Sequence, residues 1–215
     1  MRNMNYQKVL DETIRRDSEE GRLKRVLLHA CCGPCSSYCL EYLTQHYLVT
    51  VDFYNPNISP ETEYRKRVEE IRRLISELPV ANPVEFREGI YEPERFLSET
   101  KGLYEEPERG KRCEVCFRLR LGQAAETAKA GGFDYFTTTL SISPMKDAEL
   151  LNRIGGEMSE RFGVPYLYSD FKKKGGYLRS IELSREYSLY RQNYCGCIFS
   201  KREAEEREKR KEAGL

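Results

Sequence analysis

The stretch LLHACCGPCSSYCLEYL, residues 27–43, decides how this chain is read. It opens on the end of a short apolar run, residues 25–30 (RVLLHA), which has the composition of a buried strand. Cys31, Cys32, Gly33 and Pro34 follow at once. Pro34 suits the first turn of a helix, where a missing N–H costs nothing. CSSYCLEYLTQHY then carries apolar residues at helical spacing. A strand therefore runs straight into a helix, and three cysteines sit at the join.

The same alternation continues outward. A second strand is expected over 48–55 (LVTVDFYN), then a turn, with Ser59 as N-cap and Pro60 at the first position of a long helix. A third strand is expected over 84–89, a short helix near 93–101, and an amphipathic helix from RCEVCFRLRL to a stop at Gly131-Gly132. A fourth strand is read over 134–140. A loop and a helix broken at Gly155-Gly156 follow, then a fifth strand over 165–171 and a helix over 177–190. Residues 1–24 read as a polar helical extension outside the main fold, 25–199 as a single α/β domain, and 200–215 as a charged, solvated surface helix. Alternating strands and helices imply a parallel sheet covered on both faces. Ligands of such sheets bind beyond the carboxyl ends of the strands. Cys31 and Cys32, Asn55 to Asn57, Ser141 to Lys146 and Asp170 are thereby expected at one rim.

Composition narrows the function classes. Charged residues make up 33% of the chain and the net charge is +1, so nucleic acid or membrane binding must come from local patches. The first 25 residues are charged throughout, unlike a secretory leader, and no apolar run approaches the about 18 residues of a membrane span. A cytoplasmic protein is expected, without structural disulfides. Its eight cysteines are then the anomaly. Seven fall in three tight groups: Cys31, Cys32 and Cys35; Cys113 and Cys116; Cys195 and Cys197. Cys39, about one turn past Cys35, reads as helix packing.

Cys-Gly-Pro-Cys at a helix start fits a redox dithiol locally, because the positive helix end lowers a thiol pKa. It leaves four further paired cysteines unexplained. Two Cys-x-x-Cys pairs would make a tetrahedral zinc site, but Cys195 and Cys197 would be left over. An iron–sulfur cluster takes about four thiolates. The surplus then serves a second metal, an acid or a redox partner. Adjacent cysteines such as Cys31 and Cys32 reach two neighbouring metal centres more readily than one ion.

With LLHACCGPCSSY, FYNPNISPETEY, RCEVCFRLRL, DYFTTTLSISPMKD and YSDFKKKGGYLRSIELSREYSLYRQNYCGCIFSKRE in place, the sequence resembles the cobalamin-independent epoxyqueuosine reductases over roughly residues 25–203. The resemblance implies a Rossmann-like (adenine-nucleotide-hydrolase-like) sheet with the cysteine groups at its C-terminal edge. It implies reductive deoxygenation of epoxyqueuosine to queuosine at the tRNA wobble position. It also implies a [4Fe–4S] cluster and an adjacent metal ion held by Cys31, Cys32, Cys35, Cys113, Cys116, Cys195 and Cys197. The second metal is expected to be iron, and the partners to be tRNA bearing epoxyqueuosine and an external electron donor.

Within that frame, Asn55 and Asn57 could read the modified base, although a ligand-free turn fits them as well. Ser141, Ser143 and Lys146 could meet ribose or phosphate; the alternative is that Ser143-Pro144 only caps the following helix, with Asp147 in its first turn. Asp170 is the leading proton donor or metal partner, against a capping role. His29 and His46 are assigned no role. Basic groups for tRNA are Arg65, Lys66 and Arg67; Arg109, Lys111 and Arg112; and Lys172 to Lys174, of which the last two groups flank the site. The 15 tyrosines could stack a splayed base. From another class, a zinc-stabilised nucleotide- or RNA-binding module without redox activity remains the alternative. A tRNA-thiolating enzyme using ATP would carry a glycine-rich loop where this chain has HACCGPC.

Overall fold

The computed structural model describes residues 4–212. The outermost three residues of each expected terminal segment lie outside that range. The order of elements is α1 (Tyr6–Glu19), β1 (Lys24–His29), α2 (Gly33–Leu43), β2 (Tyr47–Phe53), α3 (Glu61–Glu77), β3 (Val84–Glu88), α4 (Pro93–Glu99), α5 (Lys111–Ala130), β4 (Tyr135–Thr138), a 3-10 turn (Thr139–Ile142), α6 (Ala148–Phe162), α7 (Gly176–Glu186) and α8 (Ile198–Glu212). The four strands form one sheet in the order β3-β2-β1-β4, and every pairing is parallel. The chain moves outward from β1 to β3, then returns across the sheet to place β4 on the other side of β1. A crevice opens at such a reversal, beyond the carboxyl ends of β1 and β4.

Alternation in β1 divides the core. Val26 and Leu28 pack into the cluster with α1, α2, α3 and α7, while Leu27 packs into the cluster with α5 and α6. Both faces of β1 are thus buried, which explains why residues 25–30 show no polar–apolar alternation. Among the described residues, no helix is long and apolar enough to cross a membrane.

Several expectations change. The fifth strand is reduced to a single parallel bridge between Phe136 and Tyr166. Phe136 N donates to Pro165 O and Leu167 N to Phe136 O, but the ladder stops there. Side chains take over: Thr137 Oγ1 donates to Leu167 O, and the Asn152 amide bonds both Ser169 N and Ser169 O. Gly155 and Gly156 do not break α6. They clear space for aromatic rings, since a Cβ at 155 would lie 2.4 Å from the Tyr166 ring and one at 156 would lie 2.7 Å from Tyr168 Oη. The N-cap of α6 is Asp147, which accepts from Glu149 N and Leu150 N, whereas Ser143 ends the 3-10 turn. Pro60, not Ser59, caps α3. The expected fourth strand tightens into the 3-10 turn after Thr138, and the helix of 177–190 ends at Glu186.

The N-terminal helix is not outside the fold. Leu10 and Ile14 enter the main core. Asp17 is buried, with its carboxylate accepting from Lys24 Nζ at 2.8 Å, Tyr47 Oη at 2.9 Å and Tyr135 Oη at 3.1 Å. Burial alone would raise this carboxyl, but the bonds from Lys24, Tyr47 and Tyr135 overcome it and hold the group below its ordinary value. The folded chain therefore holds the Asp17 proton less tightly than the unfolded chain. The resulting stability is complete above the unfolded value and disappears as pH falls through the lower folded one. Asp17→Asn is expected to lower stability by about 2–3 kcal/mol in urea unfolding at neutral pH, because it leaves Lys24 and two phenols poorly matched. The gap from wild type should narrow on acidification below 3.8.

Candidate metal centre and active-site cleft

Cys31 leaves the end of β1, and Cys32 is the N-cap of α2 in extended conformation. Gly33 and Pro34 open that helix, so Cys35 turns back towards the first two thiols. The three Sγ atoms lie within 4.8 Å of one another, with Cys31 and Cys32 3.9 Å apart. Such crowding lets the group share one negative charge. Bonds from the Cys32 and Cys35 thiols hold Cys31 well below its ordinary value, helped by Arg120. Cys32 is pushed up to about 12 by the same contact with Cys31. All eight cysteines are free thiols.

The other four thiols line a shared void at a different junction; among the described residues only the trio forms a group of three or more donors within 4.8 Å of one another. Cys113 and Cys116 lie on the first turns of α5, and Cys195 and Cys197 flank Gly196 just before α8. These four, with Asn57, Phe96, Phe117 and Ser200 among others, line one narrow void. Cys195 also lines a larger cleft of about 230 Å³ together with Cys31, Cys32 and Cys35. The three groups, separated by up to 166 positions (31 to 197), therefore converge on one rim of the sheet. A set of neighbouring thiols suits soft metals such as iron in clusters or zinc, and the trio has the donor atoms and spacing that could hold one.

Buried cations face these thiols. Arg120 lies on α5 one turn beyond Cys116, fully within the protein. Its Nη2 donates to Asn55 Oδ1 at 2.7 Å, its Nε to His29 Nε2 at 3.2 Å, and its Nη1 lies 4.0 Å from Cys116 Sγ. An arginine only donates, so the bond from Arg120 needs His29 Nε2 as acceptor, with Nδ1–H donating to Thr138 Oγ1 at 2.9 Å; the Tyr54 carbonyl, also 3.2 Å from Nε2, then receives no proton from the ring. Burial, then the Arg120 charge, pushes His29 down to about 3, so its ring is neutral. Lys146 Nζ lies 3.1 Å from both Cys195 Sγ and Glu108 Oε1. Burial opposes its charge, but Cys195 and Glu108 outweigh burial and hold the ammonium well above its ordinary value.

The expected site residues divide. Ser143 and Lys146 line the cleft. Asn57 is buried beside the four-thiol void, and its Oδ1 has no hydrogen-bond partner among the described residues. Asn55, however, is spent internally: its Nδ2 donates to Ala30 O and its Oδ1 accepts from Arg120. Ser141 is likewise buried, its Oγ 3.3 Å from Ser169 Oγ. Arg112 holds the carbonyls of Leu103, Tyr104 and Glu106 and stacks on Phe199 at 4.5 Å; it is absent from the larger cleft but lines the four-thiol void, and its buried Nε has no hydrogen-bond partner among the described residues. Lys172 Nζ donates to Ser141 O and sits 3.0 Å from Asp170 Oδ1, too poorly aligned for a hydrogen bond; neither residue lines the cleft. Cys39 lies in the main core, as its helical position suggests. Arg67, Glu108, Tyr177, Tyr194, Arg191 and Arg207 also line the cleft, and no local pattern marks them as its walls. Only Arg120 leaves a readable sign, since RCEVCFRLR places Cys113, Cys116 and Arg120 on one helical face.

A family model described as epoxyqueuosine reductase QueH matches residues 26–203. The chain is 42% identical over 201 residues to a protein of Staphylococcus epidermidis named epoxyqueuosine reductase QueH, covering 92% of this chain and 84% of that one. It is 43% identical over 199 residues to a protein of the same name from Streptococcus pyogenes serotype M1, covering 92% and 78%. A Thermotoga maritima protein, also of that name, is 36% identical over 188 residues, with 85% and 93% covered. With its match spanning the sheet and all three cysteine groups, the chain belongs to the epoxyqueuosine reductase QueH family.

Proposed function

We propose that this protein reduces epoxyqueuosine to queuosine at the wobble position of tRNA, in the cleft between the cysteine trio and Cys195. The observation that carries the reading is the convergence of seven free thiols on one rim, beside a cleft of about 230 Å³. The reaction removes the epoxide oxygen: both C–O bonds break, a C=C bond forms, and two electrons and two protons leave with the oxygen as water. The electrons come from an external donor. The donor set fits iron, because soft thiolates in excess of four suit a cluster with a neighbour. Cys31, Cys32, Cys35, Cys113, Cys116, Cys195 and Cys197 would hold a [4Fe–4S] cluster and an adjacent iron, which supply electrons singly and a Lewis-acidic centre.

The rest is done by the chain's own groups. Leu140, Ile142 and Pro144 give the cleft an apolar wall that excludes water from the substrate ring. Tyr177 and Tyr194 offer flat surfaces for a base turned out of the anticodon loop. Lys146, held on Glu108 and Cys195, places a fixed positive charge where oxygen would develop negative charge. Asp170 points its charge at Lys172 outside the cleft, so proton delivery falls in this reading to the phenols and ammonium lining it. Arg191 and Arg207 at the cleft and Lys173 on the turn before α7 supply the positive rim for phosphates, joined by Lys174 where a phosphate displaces its partner Asp11. A tRNA substrate supports a cytoplasmic location.

Anaerobic reconstitution with iron and sulfide, followed by a chemical reductant and tRNA carrying epoxyqueuosine, should yield queuosine on nucleoside mass analysis, with more than four irons per chain. No conversion at full loading would overturn the assignment, and full activity at four irons would remove the second iron. Serine at Cys31, Cys113 or Cys197 should each reduce bound iron and lower turnover at least about 100-fold, a loss of some 2.7 kcal/mol in the barrier. Cys39→Ala should keep its iron and cost only about 1 kcal/mol of stability. Lys173→Glu with Lys174→Glu should weaken tRNA binding and flatten its salt dependence by roughly 0.7–0.9 in log–log slope for each phosphate no longer neutralised. Identical slopes would take that turn out of the tRNA footprint.

A further inference from the structure

One buried charge in the cleft wall has no part in the chemistry assigned to Lys146 and the tyrosines. Arg67, on α3, is only 1% exposed. Its Nε donates to Glu63 Oε1 at 2.7 Å, and its Nη1 to Cys195 O at 3.2 Å. Its Nη2 is buried and makes no hydrogen bond among the described residues. The side chain nevertheless lines the cleft beside Cys31, Cys32, Cys35 and Cys195. Leaving a buried guanidinium donor unmatched costs about 1–3 kcal/mol or more, so an arrangement that keeps it calls for an acceptor that arrives from outside.

The surroundings hold this guanidinium in place. Glu63 is itself bound by Tyr190 Oη at 2.9 Å, and the Tyr194 ring centre lies 5.6 Å from the Arg67 guanidinium. The Cys195-Gly196-Cys197 turn is wrapped around it. Gly196 has φ of +122°, and a Cβ there would come within 3.0 Å of Arg67 Nη1 and 3.3 Å of Nη2. Only glycine accepts both that backbone and that approach. The thiol-bearing turn and the guanidinium therefore fix each other's position. An arginine does not lose its proton in a protein, so Arg67 is a donor of fixed charge and not an acid.

We propose that Arg67 is a substrate-binding residue whose Nη2 donates a hydrogen bond to the epoxide oxygen of the modified base. The proposal rests on the reductase reading and deepens it by naming a contact to the reacting atom. Charge grows on that oxygen as its first C–O bond breaks, so the contact is stronger in the transition state than in the bound substrate. The oxygen has two lone pairs, so a hydrogen bond from the guanidinium uses one and leaves the other free. A simple countercharge to the thiolates would also favour a cation here, but it would need no directed, unmatched N–H.

Arg67→Lys separates the two roles, because its ammonium keeps the charge beside Glu63 and the Cys195 carbonyl but loses the planar fork that places the Nη2 donor. With wild-type enzyme shown to convert epoxyqueuosine tRNA, reconstituted Arg67→Lys should keep its iron and sulfide content and its cluster midpoint potential. Its kcat should fall about 100-fold, with a smaller change in KM. Its equilibrium affinity for tRNA carrying epoxyqueuosine should fall about tenfold, while affinity for the same tRNA with guanine at that position stays unchanged. Arg67→Gln should show the same loss of selectivity. Wild-type kcat in Arg67→Lys would assign the residue to charge balance and overturn the proposal. So would equal loss of affinity for both tRNAs, or loss of iron in both variants, which marks a scaffold role. If wild-type enzyme fails to convert the tRNA, the reductase reading itself fails and takes this contact with it.

Discussion

The structure depends on a guanidinium buried where the sheet ends. Arg120 donates to His29 at the tip of β1 and to Asn55 after β2, and approaches Cys116 on its own helix. It thereby ties α5 to the two central strands at their carboxyl ends. A bare guanidinium in that position would be expensive to desolvate. The cost is offset by directed acceptors and by thiols close enough to carry negative charge. His29 is kept neutral with its Nε2 free to accept, and Thr138 on β4 takes the opposite ring proton. One cation thus spans β1, the loop after β2 and α5, and through His29 reaches β4. The thiols are presented on elements held in this way.

Arg67 and Lys146 repeat the device on the other sides of the cleft. Arg67 binds the carbonyl of Cys195, and Lys146 binds its thiol. The loop between α7 and α8 has no strand or helix of its own in this stretch, so these cations fix its position instead. Tyr190 adds to this: its N–H donates to Glu70 and its hydroxyl to Glu63, both on α3. At the opposite end of the sheet, the network around Asp17 is an arrangement of the same kind with a carboxylate at its centre, and it docks α1 on the core.

Much of the fold is legible in the sequence because parallel strands buried on both faces leave short apolar runs followed by turn residues. Residues 25–30 and 48–55 and the long helix of α3 are visible for that reason. The fifth strand misleads because PYLYSDF has strand composition, yet Asn152 and Thr137 satisfy its backbone from the side. Gly155-Gly156 misleads because a glycine pair inside a helix looks like a break until the tyrosines that fill the groove are placed. In the site, the cysteine groups can be read from their spacing. Asn55 looks like a ligand contact because polar residues near a rim look available, and nothing local reveals the buried partners that consume it.

The sequence by itself determined the alternating architecture, the grouping of seven thiols and the family, because periodicity and spacing are local and motif order survives without coordinates. Only the tertiary structure decided which polar groups remain free. That is a property of contacts between distant segments: Arg67 and Gly196 meet across 129 positions (67 to 196), and Lys146 and Cys195 across 49. A side chain's chemistry is written in its letter, but whether its hydrogen bonds are already made is settled by what packs against it.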